Sequence, residues 1–149
     1  MNALSGSTRW VATIAIGGAL VALASCAQMG GMMGGSQKVE LSGANEVPPV
    51  QTSASGSGTV TIKDDRSVSV SISVTGMTAT AAHIHEGAAG TNGPVIVPFT
   101  KTGDNTFAAA DGAKLTEAQY ASYKAGNLYV NVHSAKNPGG EVRAQLKGN

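Results

Sequence analysis

From Lys38 onward the chain is written in short runs whose apolar residues fall on every second position, separated by turn residues. Side chains on a strand alternate between its two faces, so this period of two predicts strands with one covered face. Ser67-Val68-Ser69-Val70-Ser71-Ile72-Ser73-Val74 is the plainest case, with four β-branched residues on one face and four serines on the other. Thr59 to Lys63 precedes it across the turn Asp64-Asp65-Arg66, and the pair reads as a hairpin with one wet face. Lys38 to Leu41 is a further strand. Asn45 to Val50 is not a central strand, because Pro48 and Pro49 remove two ladder donors. Gln51 to Gly58 reads as a Ser/Gly-rich loop. Strands follow around His83–His85, over Pro94–Thr100, more weakly over Thr106–Ala110, and over Asn127–His133 and Glu141–Leu146. Between them, Thr116 as N-cap with Gln119 three residues on forms a capping box, Leu115 can staple to Tyr120, and Gly126 stops a short helix. The pattern predicts an all-β fold: an antiparallel sandwich or flattened Greek-key barrel of about seven to eight strands with one short helix.

Upstream of Lys38 the pattern is different. Met1 to Arg9 is polar with one positive charge, and Val11 to Leu23 is apolar but shorter than the roughly 20 residues that span a bilayer. Residues 1–25 therefore read as an export signal, 26–37 as a Gly- and Met-rich tether, and 38–149 as one folded domain. Removing Arg9 with the signal leaves nine basic and nine acidic residues, from totals of 10 and 9. A neutral chain with 4% aromatic residues lacks the electrostatic footprint of a nucleic-acid binder. A single cysteine excludes an internal disulfide and any multi-cysteine zinc site. Met29, Met32 and Met33 are soft donors of the kind Cu(I) accepts, although the preferred reading is apolar residues left near a membrane surface.

The chemistry of the folded part rests on its three histidines. His83 and His85 flank Ile84, so both imidazoles leave the strand on the face opposite the core residue. His133 leaves its own strand with Tyr129 and Asn131, opposite Leu128, Val130 and Val132. If the two strands are neighbours, the three rings can share one copper or zinc ion, with Glu86 and Asn131 as supporting partners. The loops Glu86–Gly93 and Ser134–Gly140 are then expected to border the site, and binding to weaken as pH falls through about 6.5, where free imidazole protonates. The alternative is structural: polar residues bonded to the loops that cover them. Glu46 and Arg143 read as a surface or loop-fixing pair. No triad order, phosphate loop or paired carboxylate points to catalysis.

Two resemblances sharpen these expectations. Leu23-Ala24-Ser25-Cys26 resembles a bacterial lipobox, which implies cleavage before Cys26 and lipid on its sulfur; Ala27 rather than Asp then implies the outer membrane, facing the periplasm. Leu41-Ser42-Gly43-Ala44-Asn45-Glu46-Val47-Pro48-Pro49, Ala82-His83-Ile84-His85-Glu86-Gly87, Gly93-Pro94-Val95, Leu128 to His133 and Asn137-Pro138-Gly139-Gly140-Glu141-Val142-Arg143 together resemble the CHRD domain, named after chordin, over about Lys38 to Leu146. That implies a non-enzymatic module of the cell envelope, anchored to the membrane through Cys26 and open to an envelope protein partner. His83-Ile84-His85 is also similar to the copper-binding His-Val-His strand of copper-zinc superoxide dismutases. A bridging fourth histidine, a zinc loop and a disulfide are lacking, so the likeness implies a mononuclear site at most.

Overall fold

The computed structural model describes residues 35–148. Residues 1–25, read as an export signal, Cys26, and Met29, Met32 and Met33 of the stretch read as a tether lie outside the described residues. Eight strands run in the order β1 (Gly35–Ser42), β2 (Ser55–Ile62), β3 (Val68–Thr75), β4 (Ala79–Glu86), β5 (Val95–Gly103), β6 (Thr106–Ala109), β7 (Leu128–Ser134) and β8 (Val142–Gln145), with helix α1 (Glu117–Lys124) between β6 and β7. All pairings are antiparallel, and the sheet closes on itself in the order β1-β2-β3-β6-β5-β4-β7-β8. The β4–β5–β6 meander enters the barrel in reverse, so the chain crosses between β3 and β4 and again between β6 and β7. This long return is what sets β4 beside β7, two strands far apart in sequence.

The core follows from the alternation. Val68, Val70, Ile72 and Val74 are buried while Ser69, Ser71 and Ser73 are exposed. They meet Val60 and Ile62 of β2, Ala82 and Ile84 of β4, Val130 and Val132 of β7, and Val142 and Ala144 of β8 in one apolar cluster inside the barrel. The capping box forms as expected: Thr116 Oγ1 accepts from the Gln119 N–H at 3.2 Å, and Gln119 Oε1 accepts from the Thr116 N–H at 2.9 Å. Gly126 follows the C-cap Ala125 at φ +76°, the left-handed turn glycine tolerates.

Several strand boundaries differ from the sequence reading, most clearly in β1 and β2. Strand β1 starts at Gly35 rather than Lys38, and β2 starts at Ser55, inside the stretch read as a loop. The glycines of β2 are there for close packing, not for turning. A Cβ on Gly58 would lie 2.0 Å from the Ser71 carbonyl oxygen of the neighbouring strand. Closure between β1 and β8 is slight: one ladder pair, Ser42 with Arg143. Side-chain amides complete it. Gln37 donates to the Lys147 carbonyl at 3.0 Å and accepts from its N–H at 2.8 Å, and Asn45 donates to the Arg143 carbonyl at 3.1 Å. A groove of about 780 Å³ lies along this seam, lined by Glu46 and Arg143 among others and by none of the histidines.

Candidate metal centre

β4 and β7 are direct neighbours, with His83 opposite Asn131, His85 opposite Tyr129 and Ala81 opposite His133. The outer face of the barrel therefore carries His83 and His85 on one strand and Tyr129, Asn131 and His133 on the next, with Arg143 of β8 opposite Asn131. Alternation alone would leave this face wet. Instead all seven residues of β7 are buried. Loops cover the face and make a second buried layer, polar rather than apolar, outside the barrel wall.

The three imidazoles come together there. Their candidate ligand atoms all lie within 4.8 Å of one another, and His83 Nδ1 stands 3.0 Å from His133 Nε2. The covering loops fix two of the tautomers. His85 Nδ1 lies 2.9 Å from the Gly93 carbonyl oxygen and His133 Nδ1 2.8 Å from that of Pro138. A carbonyl only accepts, so each Nδ1 carries the proton and each Nε2 presents a lone pair. Backbone carbonyls hold metal-ligating histidines in this way. His83 then donates its Nδ1–H to His133 Nε2. His83 is only partly buried, so its proton can move to Nε2 and free Nδ1 for an ion. His85 Nε2 is buried with no hydrogen-bond partner. An orphaned imidazole lone pair beside two further imidazole donors fits a copper or zinc ion, three neutral nitrogens being a common set for either.

Electrostatics favours the neutral, ligating form. Burial pushes His83 down to about 4, aided by the nearby His133 and His85 charges. Burial also lowers His85 below the ordinary imidazole range, against the pull of its bond to Gly93. For these two rings burial moves the expected threshold below 6.5, because the hydration a buried imidazolium loses outweighs what the bond to Gly93 returns to His85.

Of the supporting residues, Asn131 stands in this layer, its Nδ2 donating to the Gly139 carbonyl at 3.4 Å. Glu86 does not. It follows His85, so alternation turns it from the histidine face toward α1, where Oε1 accepts from the Ser122 hydroxyl. Glu46 and Arg143 are not surface residues; they are 5% and 1% exposed. Arg143 does fix a loop, donating to the carbonyls of Ala88 at 3.3 Å and Thr91 at 2.8 Å and to Asn92 Oδ1 at 3.2 Å. Its guanidinium also sits 3.4 Å from the Tyr129 ring centroid, and that ring stacks on His85 at 4.8 Å. Tyr129 Oη further accepts from the Gly93 N–H at 3.1 Å, so one residue positions both the His85 ring and the loop that fixes its tautomer. Glu141 anchors the other loop, accepting from Thr52 at 2.7 Å and from the Ser134 hydroxyl. Sequence reasoning allowed Arg143 a loop-fixing role but missed Tyr129 and Glu141 as anchors. Gly93-Pro94 and Asn137-Pro138-Gly139-Gly140 were the only marks of the loops that carry the fixing carbonyls.

The sequence profile of the CHRD domain matches residues 37–146, and the chain belongs to that family. No curated protein and no solved structure matches it.

Proposed function

We propose that this CHRD-domain protein is a metal-binding module of the bacterial cell envelope, holding one copper or zinc ion through His83, His85 and His133. One observation carries this reading: the carbonyls of Gly93 and Pro138 take the Nδ1 protons of His85 and His133, and the freed Nε2 of His85 is buried without a partner. Neighbouring strands and covering loops thus present ready-made lone pairs at one point. The module is a binding protein and not an enzyme. Its attachment follows the lipobox likeness: lipid on Cys26 anchors it in the outer membrane, facing the periplasm, with residues 27–34 as spacer. Several acyl chains on one cysteine suffice for stable anchoring, where one alone is marginal.

A second reading, a structural or protein-interaction module without metal, draws on the 3.0 Å contact between His83 and His133, which satisfies two ring nitrogens with no ion present. Metal analysis of untagged chain purified in detergent separates the two, followed by calorimetric titration with Cu(II) and Zn(II). One equivalent bound in the wild type, and a loss of about a hundredfold or more in His83→Ala, supports the metal site. Equal affinity in both proteins refutes it. A Cys26→Ser variant is expected to leave the membrane fraction while keeping its fold; if it stays with membranes, the lipid anchor is wrong.

A further inference from the structure

Arg143 carries a full positive charge into the layer that holds the three imidazoles. A guanidinium does not lose its proton in a protein, and this one is 1% exposed. Its hydrogen bonds go to the carbonyls of Ala88 and Thr91 and to the side-chain amide oxygens of Asn92 and Gln145. All four acceptors are neutral, so none of these bonds offsets the charge. The carboxyl that acts on Arg143 belongs to Glu46, which burial raises to about 7, so below that pH it too is mostly uncharged. β8 and β4 flank β7, and one stack crosses all three strands. The guanidinium lies 3.4 Å from the centre of the Tyr129 ring, and that ring lies 4.8 Å from His85 with 8° between the planes.

Nothing negative answers this charge at the imidazoles. Among the described residues, the group that can hold an ion is three histidines, with no carboxylate or thiolate in it. Gly93 and Pro138 pin two of the rings in the neutral form. The charged groups that act on His85 are His133 and Arg143, and both oppose a positive charge there. An ion bound to His85 meets the opposition of Arg143 in proportion to its own charge. Desolvation sharpens the difference, because the cost of taking an ion out of water rises with the square of its charge. A doubly charged ion under these loops meets twice the repulsion and about four times the desolvation of a singly charged ion of similar size.

We infer that Arg143 makes the three-histidine site selective for Cu(I) over Cu(II) and Zn(II). This inference rests on the three-histidine reading and goes beyond it by naming the ion and the residue that selects it. Donor softness alone does not choose, since imidazole accepts copper and zinc alike. Charge does. Arg143 acts through the Tyr129 ring and its own field, not by contact with the ion. A unit charge roughly 8–10 Å away, at the effective dielectric of a protein interior, changes a binding constant on the order of tenfold for each unit of ion charge.

The test compares three ions on untagged full chain purified in detergent: Cu(I) without air against a Cu(I) chelator, and Cu(II) and Zn(II) by calorimetry. Wild-type chain is expected to bind Cu(I) more tightly than either doubly charged ion. Arg143→Gln keeps amide donors for the loop and removes the charge. It is expected to raise the ratio of Cu(II) to Cu(I) affinity about tenfold, which lowers the copper potential by about 59 mV. Arg143→Lys keeps the charge and is expected to keep the ratio. The ratio is the readout because a loosened loop weakens both copper ions together and leaves it unmoved. An unchanged ratio in Arg143→Gln, or one that moves as far in Arg143→Lys, overturns Arg143 as the selecting residue. Wild-type chain that binds Cu(II) or Zn(II) as tightly as Cu(I) overturns the preference and leaves the three-histidine site standing. Wild-type chain that takes up none of the three ions overturns the metal reading itself. Should both variants fail to fold, the order of wild-type affinities decides alone.

Discussion

Replacing Gly140 with alanine tests the polar layer at its tightest point. Gly140 has φ +129°, a conformation side chains rarely adopt, and its added Cβ would meet Glu46 Oε1 at 2.5 Å, Asn131 Nδ2 at 2.6 Å and Glu46 Cδ at 2.9 Å. None of these atoms can swing aside into solvent, since Glu46 is 5% and Asn131 2% exposed. Two costs follow. Holding a non-glycine residue at such a backbone angle costs about 1–3 kcal/mol, and forcing a methyl into a filled site costs about 1–3 kcal/mol more. The sum centres near ~4 kcal/mol, which for a domain of this size lowers the melting temperature by roughly 15 °C. Gly112→Ala supplies the control: it too has positive φ, +78°, but nothing lies within 4 Å of its added Cβ. It carries only a backbone cost of about 1–2 kcal/mol. Thermal and urea unfolding in the presence of chelator give both values. If Gly140→Ala loses no more stability than Gly112→Ala, the close approach of Glu46 and Asn131 is not what the glycine serves, and the reasoning fails.

Two of the three rings should stay neutral in mild acid. Only neutral imidazole ligates, and burial pushes His83 down to about 4 and lowers His85, so both are expected to remain uncharged below pH 6.5; imidazole chemical shifts that show either ring protonated at pH 6.5 refute this. Glu46 sets a pH slope on the stability of the metal-free domain. Burial raises its carboxyl from 4.5 to about 7, against Arg143, Asn131 and Val47. The folded state therefore binds this proton more tightly than the unfolded chain, and its stabilising share is complete below about 4.5 and lost as pH rises through 7. Glu46→Gln should flatten that part of the stability profile and be the more stable protein at pH 8, read as urea midpoints from pH 5 to 8. Parallel profiles for the two proteins would contradict the assignment.

The inner layer was legible in the sequence, and the outer layer was not. Val68 to Val74 announced both its faces, because one faces a core and the other water. Thr116 and Gln119 announced the helix, because a capping box is local. Gly56 and Gly58 misled, since glycine marks a turn and a close strand contact equally well, and only the position of Ser71 on the next strand decides. His83, His85 and His133 were legible as residues leaving the core side. Their partners were not, because Gly93 and Pro138 act through backbone carbonyls that no side chain advertises. Arg143 and Glu46 read as a surface or loop-fixing pair, and for Arg143 on β8 alternation gives the outer face correctly. What alternation cannot say is that loops lie over that face.

The division into two layers bears on how metal and fold depend on each other. A barrel of eight short strands has an interior just wide enough for side chains. Here it is filled by one continuous apolar cluster that contains none of the histidines. Polar ligands placed inside would have displaced that core, so the outer face under the loops is where a site can be built at small cost to stability. The strands fix where the rings emerge, and the loops fix how the rings are turned. On the proposed metal reading the apolar core is therefore expected to fold the domain without the ion, unlike small metal domains in which binding energy is folding energy. Histidine variants should keep the barrel and lose only the ion, so a change in affinity on substituting His83 reports on ligation and not on unfolding.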